Sequence, residues 1–70
     1  MTTMEAYKMV ANKTDFRGIA TKVLEMAFEA AEDLKFYAEC ADDYRTTCRE
    51  KQEIADAMRN ARAEYKARTA

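Results

Sequence analysis

From Phe16 onward, apolar residues recur at alternating four- and three-residue steps: Phe16, Ala20, Val23, Ala27, Ala30, Leu34, Tyr37 and Ala41. Side chains three and four apart stack on one face of an α-helix, whereas a strand repeats every two residues. The unbroken seam therefore predicts one helix over about residues 15–41. Ile19, Leu24, Met26, Ala31 and Ala38 widen the seam on both sides, to an arc of about 160°. One partner helix needs a narrower stripe. This helix is expected to touch two neighbours.

The rest of the chain must then be helical too. It has no Pro and a single glycine, Gly18, so it lacks the turn residues a β-rich fold requires. Thr2 followed by Glu5 is a capping-box pattern and predicts a short helix over about residues 3–11, with Met4, Tyr7 and Val10 or Ala11 on one face. Asn12, Lys13 and Thr14 read as a break, because Asn tolerates the left-handed conformation that ends helices. Thr14 or Asp15 can cap the helix that follows. Around Asp42 to Thr47 the seam weakens, and Thr47 with Glu50 repeats the capping pattern. A turn there and a third helix over about residues 47–67 follow, with Ile54, Met58, Ala61 and Tyr65 as its stripe and Arg68 to Ala70 frayed. The alternative is one uninterrupted helix from Asp15 to about Ala67. The expected fold is thus all-α: a short N-terminal helix followed by an antiparallel helical hairpin, in one domain over residues 1–70.

A chain of 70 residues buries only about 60% of its unfolded surface, so its core needs reinforcement. With no His and only Cys40 and Cys48, a structural metal and a disulfide framework are both poor candidates. Self-association remains, and a homodimer packed as a four-helix bundle is expected. Its interface comprises Phe16, Ile19, Val23, Ala27, Ala30, Leu34 and Tyr37. A monomeric three-helix bundle, with the first helix in the second groove, is the alternative. Cys40 and Cys48 are expected as buried, inert thiols. The composition and the lack of a leader or spanning segment point to a cytoplasmic protein with no membrane partner.

Chemistry is conspicuous by what is missing. Without His there is no common general base or triad, and one glycine cannot form a phosphate loop. The carboxylates are many, but they lie on a face expected to be solvated, where nothing shifts their pKa. No enzyme activity and no cofactor are expected.

Charge supplies the functional candidates. The net charge is −1, yet residues 25–43 carry seven acidic groups and one lysine, while residues 44–70 carry seven basic and four acidic groups. Glu25, Glu29, Glu32, Glu39 and Asp43 form a row opposite Phe16. Like charges three and four apart repel, so something should offset them. An antiparallel third helix carrying Arg45, Arg49, Arg59, Arg62 and Lys66 is one answer, and solvent is another. A binding surface is the third: carboxylates spaced along a rigid helix imitate the charge of a nucleic-acid backbone. Phe36 favours it, because it stands about 200° around the helix from Phe16, inside the acidic row. A large aromatic in a polar rim has the composition of an interface hot spot.

Three functions follow as expectations. The first is a protein–protein interaction module, an inhibitor or modulator docking Glu25, Glu29, Glu32, Phe36, Glu39 and Asp43 on another protein. In type, though by no motif, such a chain resembles the small accessory proteins of viruses and mobile elements. The second is an assembly subunit acting through the seam. The third is a nucleic-acid binder using the basic residues of the third helix, an unfavoured reading for a chain without basic excess.

Overall fold

The computed structural model describes residues 1–40 and 43–70. Ala41, the last position of the heptad seam, and Asp42, the first of the expected turn, lie outside them. Three helices account for most of the described residues: α1 (Thr3–Val10), α2 (Thr21–Glu39) and α3 (Tyr44–Thr69).

α1 begins as its sequence dictates. The Glu5 amide donates to Thr2 Oγ1 at 3.1 Å, and the Thr2 amide donates back to Glu5 Oε1 at 3.3 Å. Two of the amides left unpaired at a helix start are thereby satisfied. The helix ends at Asn12, whose φ of 61° places it in the left-handed region. The Asn12 amide then donates to the Ala57 carbonyl of α3 at 3.0 Å, pinning this end of α1 to the hairpin. Ala6 and Val10 are buried, whereas Met4, expected beside them, is exposed.

α2 starts six residues later than the seam predicts. Asp15 does not cap a helix; its carboxylate accepts the Arg17 amide at 3.0 Å and the Arg17 guanidinium, forming a local turn. Gly18 follows at a φ of +82°, a conformation that L side chains rarely adopt. These two residues break the helix, and Ala20 becomes the N-cap with no side-chain cap bond. Phe16 nevertheless stays buried, because the loop folds its ring back onto the core. The seam is therefore buried only in part: Phe16, Ala27 and Ala30 are buried and Val23 and Leu34 half-buried, whereas Ala20 and Tyr37 are exposed, and its first two members are not helical.

α3 starts three residues earlier than expected. Asp43 is its N-cap and accepts the Arg45 and Thr46 amides at 3.0 and 3.4 Å and the Thr46 hydroxyl at 2.9 Å. Thr47 is not the cap but a buried residue of the first turn. Its hydroxyl lies 2.8 Å from the Ala38 carbonyl of α2 and 2.9 Å from the Asp43 carbonyl. α3 also continues to Thr69, where fraying was expected. An uninterrupted helix over residues 15–67 is excluded, because residues early in α2 meet residues late in α3.

The core is built largely of alanine. Ala27 and Ala31 of α2 and Ala57 and Ala61 of α3 share one buried cluster with Leu24, Ile54 and Met58. Val10, Leu24 and Met58 are fully buried, each stabilising the fold by about 1.5–3 kcal/mol. The expected stripe of α3 is confirmed at Ile54, Met58, Ala61 and, half-buried, Tyr65. α1 and the following loop rise along the hairpin, with Tyr7 beside Leu34 and Ile54, Asn12 at Ala57, and Phe16 at Arg68. The chain thus covers one groove of its own hairpin. No helix of the described residues is long and apolar enough to cross a membrane.

Candidate functional site

The acidic row lies on the exposed side of α2, but its two ends are tied to α3. Near the N-terminal end, Glu25 Oε1 accepts the Tyr65 hydroxyl at 3.2 Å. Ionising that phenol removes the hydrogen bond and sets two negative charges together, so Tyr65 is held above its ordinary value. At the other end, Glu39 Oε1 lies 2.7 Å from Lys51 Nζ. This hydrogen bond to the carboxylate, helped by its charge, holds the Lys51 ammonium above its ordinary value. Asp43 is committed to the α3 cap. The Thr46 hydroxyl, then the Thr46 and Arg45 amides, stabilise its anion and lower its pKa.

The middle of the row faces outward. Glu32 reaches only Lys35, at 3.8 Å, and Glu29 makes no ion pair or side-chain hydrogen bond among the described residues. Between them and the hairpin end stand two aromatic rings. Phe36 is 62% exposed and Tyr37 is 71% exposed. Their centroids are 6.0 Å apart at an interplanar angle of 72°, an edge-to-face pair in solvent. Asp33 adds a carboxylate one turn away. Phe36 is where the sequence placed it. Tyr37 is not, since the seam counts it as an interior position. Tyr7 of α1 stands beside Leu34 and Ala38, and the Tyr37 ring is left exposed at the edge of the packed face.

Tyr37 also walls a cleft of about 330 Å³ where the three helices meet. Tyr7 contributes from α1, Leu34 and Ala38 from α2, and Glu50, Glu53 and Ile54 from α3. Glu53 is 3.6 Å from Arg49, both side chains being largely exposed.

The remaining candidates are dispersed. Of the proposed self-association residues, Phe16, Ala27 and Ala30 are buried within the chain, and Ile19, Val23 and Leu34 are half-buried. The basic residues of α3 do not neutralise the acidic row as a set. Arg49 pairs with Glu53 and Arg59 with Asp56, both along α3 itself. Arg62 and Lys66 border a shallow pocket with Phe28 and Tyr65, and Arg45 is exposed beside the cap. Cys40 and Cys48, expected to be buried, are free and exposed. Cys40 falls beyond the buried stripe at the α2 C-cap, and the adjacent Thr47 takes the interior position. Among the described residues no three His, Cys, Asp or Glu side chains are grouped to hold a metal ion.

Four contributors were missed by sequence reasoning. Lys51 is the cation that crosses to α2, and only the antiparallel register distinguishes it from its neighbours. Phe28 packs edge-on against Tyr65 at 5.3 Å, off the main seam. Asp33 was detectable as the residue three before Phe36 and four before Tyr37. Arg68 carried no sequence signal. No protein-family model matches the chain, and neither the curated proteins nor the solved structures contain a match to it.

Proposed function

We propose that this chain is a non-enzymatic protein–protein interaction module, an inhibitor or modulator that docks the outer face of α2 on a target protein. One observation carries the reading: Phe36 and Tyr37 stand together in solvent on a regular helix, among outward carboxylates. Leaving two rings exposed forgoes several kcal/mol of burial that a partner can supply. The surrounding Glu29, Glu32 and Asp33 steer a basic target and can stand where a nucleic-acid backbone stands in its groove. Glu25, Glu39 and Asp43, tied to α3, set the position of this face rather than contacting the partner.

Self-association is the second reading, and the exposure of Tyr37, at the end of the seam, favours it. It is weaker than the sequence implied, because α1 already covers the residues that a second hairpin needs. Nucleic-acid binding through α3 is disfavoured by the absence of basic excess in a chain of net charge −1.

The test is capture from a native lysate with the wild-type chain and Phe36→Ala side by side. Helicity is expected to be unchanged by Phe36→Ala, since the ring is 62% exposed and lies outside the core. The captured protein should disappear with the ring and elute as salt is raised. Equal capture by both proteins sinks the reading. Light scattering over a range of concentrations separates the second reading, because a mass that stays at one chain excludes the dimer.

A further inference from the structure

We propose that the cleft beside Tyr37 is a socket for one arginine side chain, presented by a basic segment of the partner protein. The inference rests on the docking reading and names the chemistry that the target must bring.

The cleft is apolar at its base and acidic at its rim. Leu34, Ala38 and Ile54 can cover the methylene stem of a long side chain, while Tyr7 and Tyr37 offer ring faces. Glu50 and Glu53 stand on the α3 side, where the charged head emerges. Arginine suits such a site because its stem buries while its planar guanidinium stacks on tyrosine and forks onto carboxylates. An apolar anchor strips water from the two carboxylates without replacing those hydrogen bonds. An anionic ligand, phosphate included, meets two like charges. At about 330 Å³ the cleft is at the small end of ligand pockets, sized for a side chain rather than a folded element.

The chain's own cation does not fill this role. Arg49 lies 3.6 Å from Glu53, but both side chains are more than two-thirds exposed, so the pair is screened by water and easily exchanged. Glu50 makes no ion pair among the described residues. The cleft is also continuous with the exposed aromatic pair, since Tyr37 belongs to both. A segment lying on Phe36 therefore borders the cleft at Tyr37.

The probe is a short capped peptide of Leu-Ala-Ala-Arg repeats, titrated into the isotopically labelled full chain at low salt. Its twin carries citrulline, which keeps the shape of arginine and removes the charge. Saturable amide shifts are expected at Leu34, Tyr37, Ala38 and Ile54. The citrulline peptide, and an E50Q/E53Q variant, should each bind about tenfold more weakly or worse. Both glutamates lie outside the core, so the variant keeps its fold. Equal binding of the two peptides, equal binding by the variant, or no shifts at all overturns the socket. Shifts at the same amides on simply concentrating the chain identify a second copy as the occupant and also overturn it. If Phe36→Ala abolishes peptide binding while E50Q/E53Q does not, the docking face stands and the socket falls. If Phe36→Ala leaves partner capture intact, the docking reading itself has failed.

Discussion

Arg68 donates through Nη1 to the Ile19 carbonyl at 2.7 Å and to Thr21 Oγ1 at 3.2 Å. Its Nη2 reaches the Phe16 carbonyl at 3.1 Å, and its Nε reaches Glu64 Oε1 at 3.1 Å. One guanidinium thus satisfies carbonyls of the loop that replaces the first turn of the expected helix, and its side chain is only 25% exposed. Charge-assisted bonds of this kind are stronger than neutral ones, and losing one leaves its acceptors to solvent or unpaired. Arg68→Ala should therefore destabilise the chain by about 2 kcal/mol, a fall of about 10 °C in melting temperature for a domain this small. Arg68→Lys should recover less than half, because an ammonium lacks the fork. Thermal melts followed by circular dichroism check both, and a melt unchanged by Arg68→Ala refutes the role. Nothing in the sequence announces this residue. Apart from Glu64 and Thr21, its partners are backbone carbonyls about fifty positions away, and carbonyls carry no side-chain signature. Phe36 was legible for the opposite reason: an aromatic residue at a position where helical periodicity demands a polar one is visible in the sequence alone.

The helices were legible to the extent that periodicity and capping agree. α1 is bounded by a capping box whose geometry is local, and it was placed to within a residue. α2 was misplaced at its start because heptad phase reports which side chains are buried, not whether the backbone between them is helical. Phe16 keeps its place in the phase through a turn made by Asp15 and Gly18. α3 was misplaced because two cap candidates compete near the hairpin end, and Thr47 is drawn inward by the Ala38 carbonyl. Asp43 takes the cap in its stead. Its carboxyl is held below the usual value, so the cap's contribution is fully present above about pH 4 and is lost as pH falls through the lowered value. Asp43→Ala should lower the melting temperature by a few degrees at pH 7. The gap between variant and wild type should close as the medium is acidified below about pH 4. A gap that persists unchanged at low pH refutes the cap as its origin.

At the scale of the whole chain, the sequence specified an all-α hairpin led by a short helix, and it favoured a homodimer over a three-helix monomer. A wide apolar arc on α2 requires two neighbours, but arithmetic on one helix cannot say whether the second is α1 or another hairpin. The structure places Ala6, Val10 and Phe16 in that role. Deleting residues 1–12 removes two of the three, and with them the Asn12–Ala57 tie. The shortened chain should then lose most of its helix or, at equal concentration, show a larger mass by light scattering than the intact chain. A folded, monomeric hairpin refutes the need for α1. The aromatic pair and the cleft were legible only in part, since Phe36 is on one helix whereas the cleft exists where three meet. The antiparallel layout has a practical side. Ala70 closes α3 beside Thr21 and Ile19, while Phe36 and Tyr37 stand near the hairpin end, along a body 39 Å in its longest dimension. A dye, bead or sensor surface joined at Ala70 is held well away from the exposed aromatic pair. Ala70 is therefore the place from which to tether this chain when the proposed docking face is put to the test.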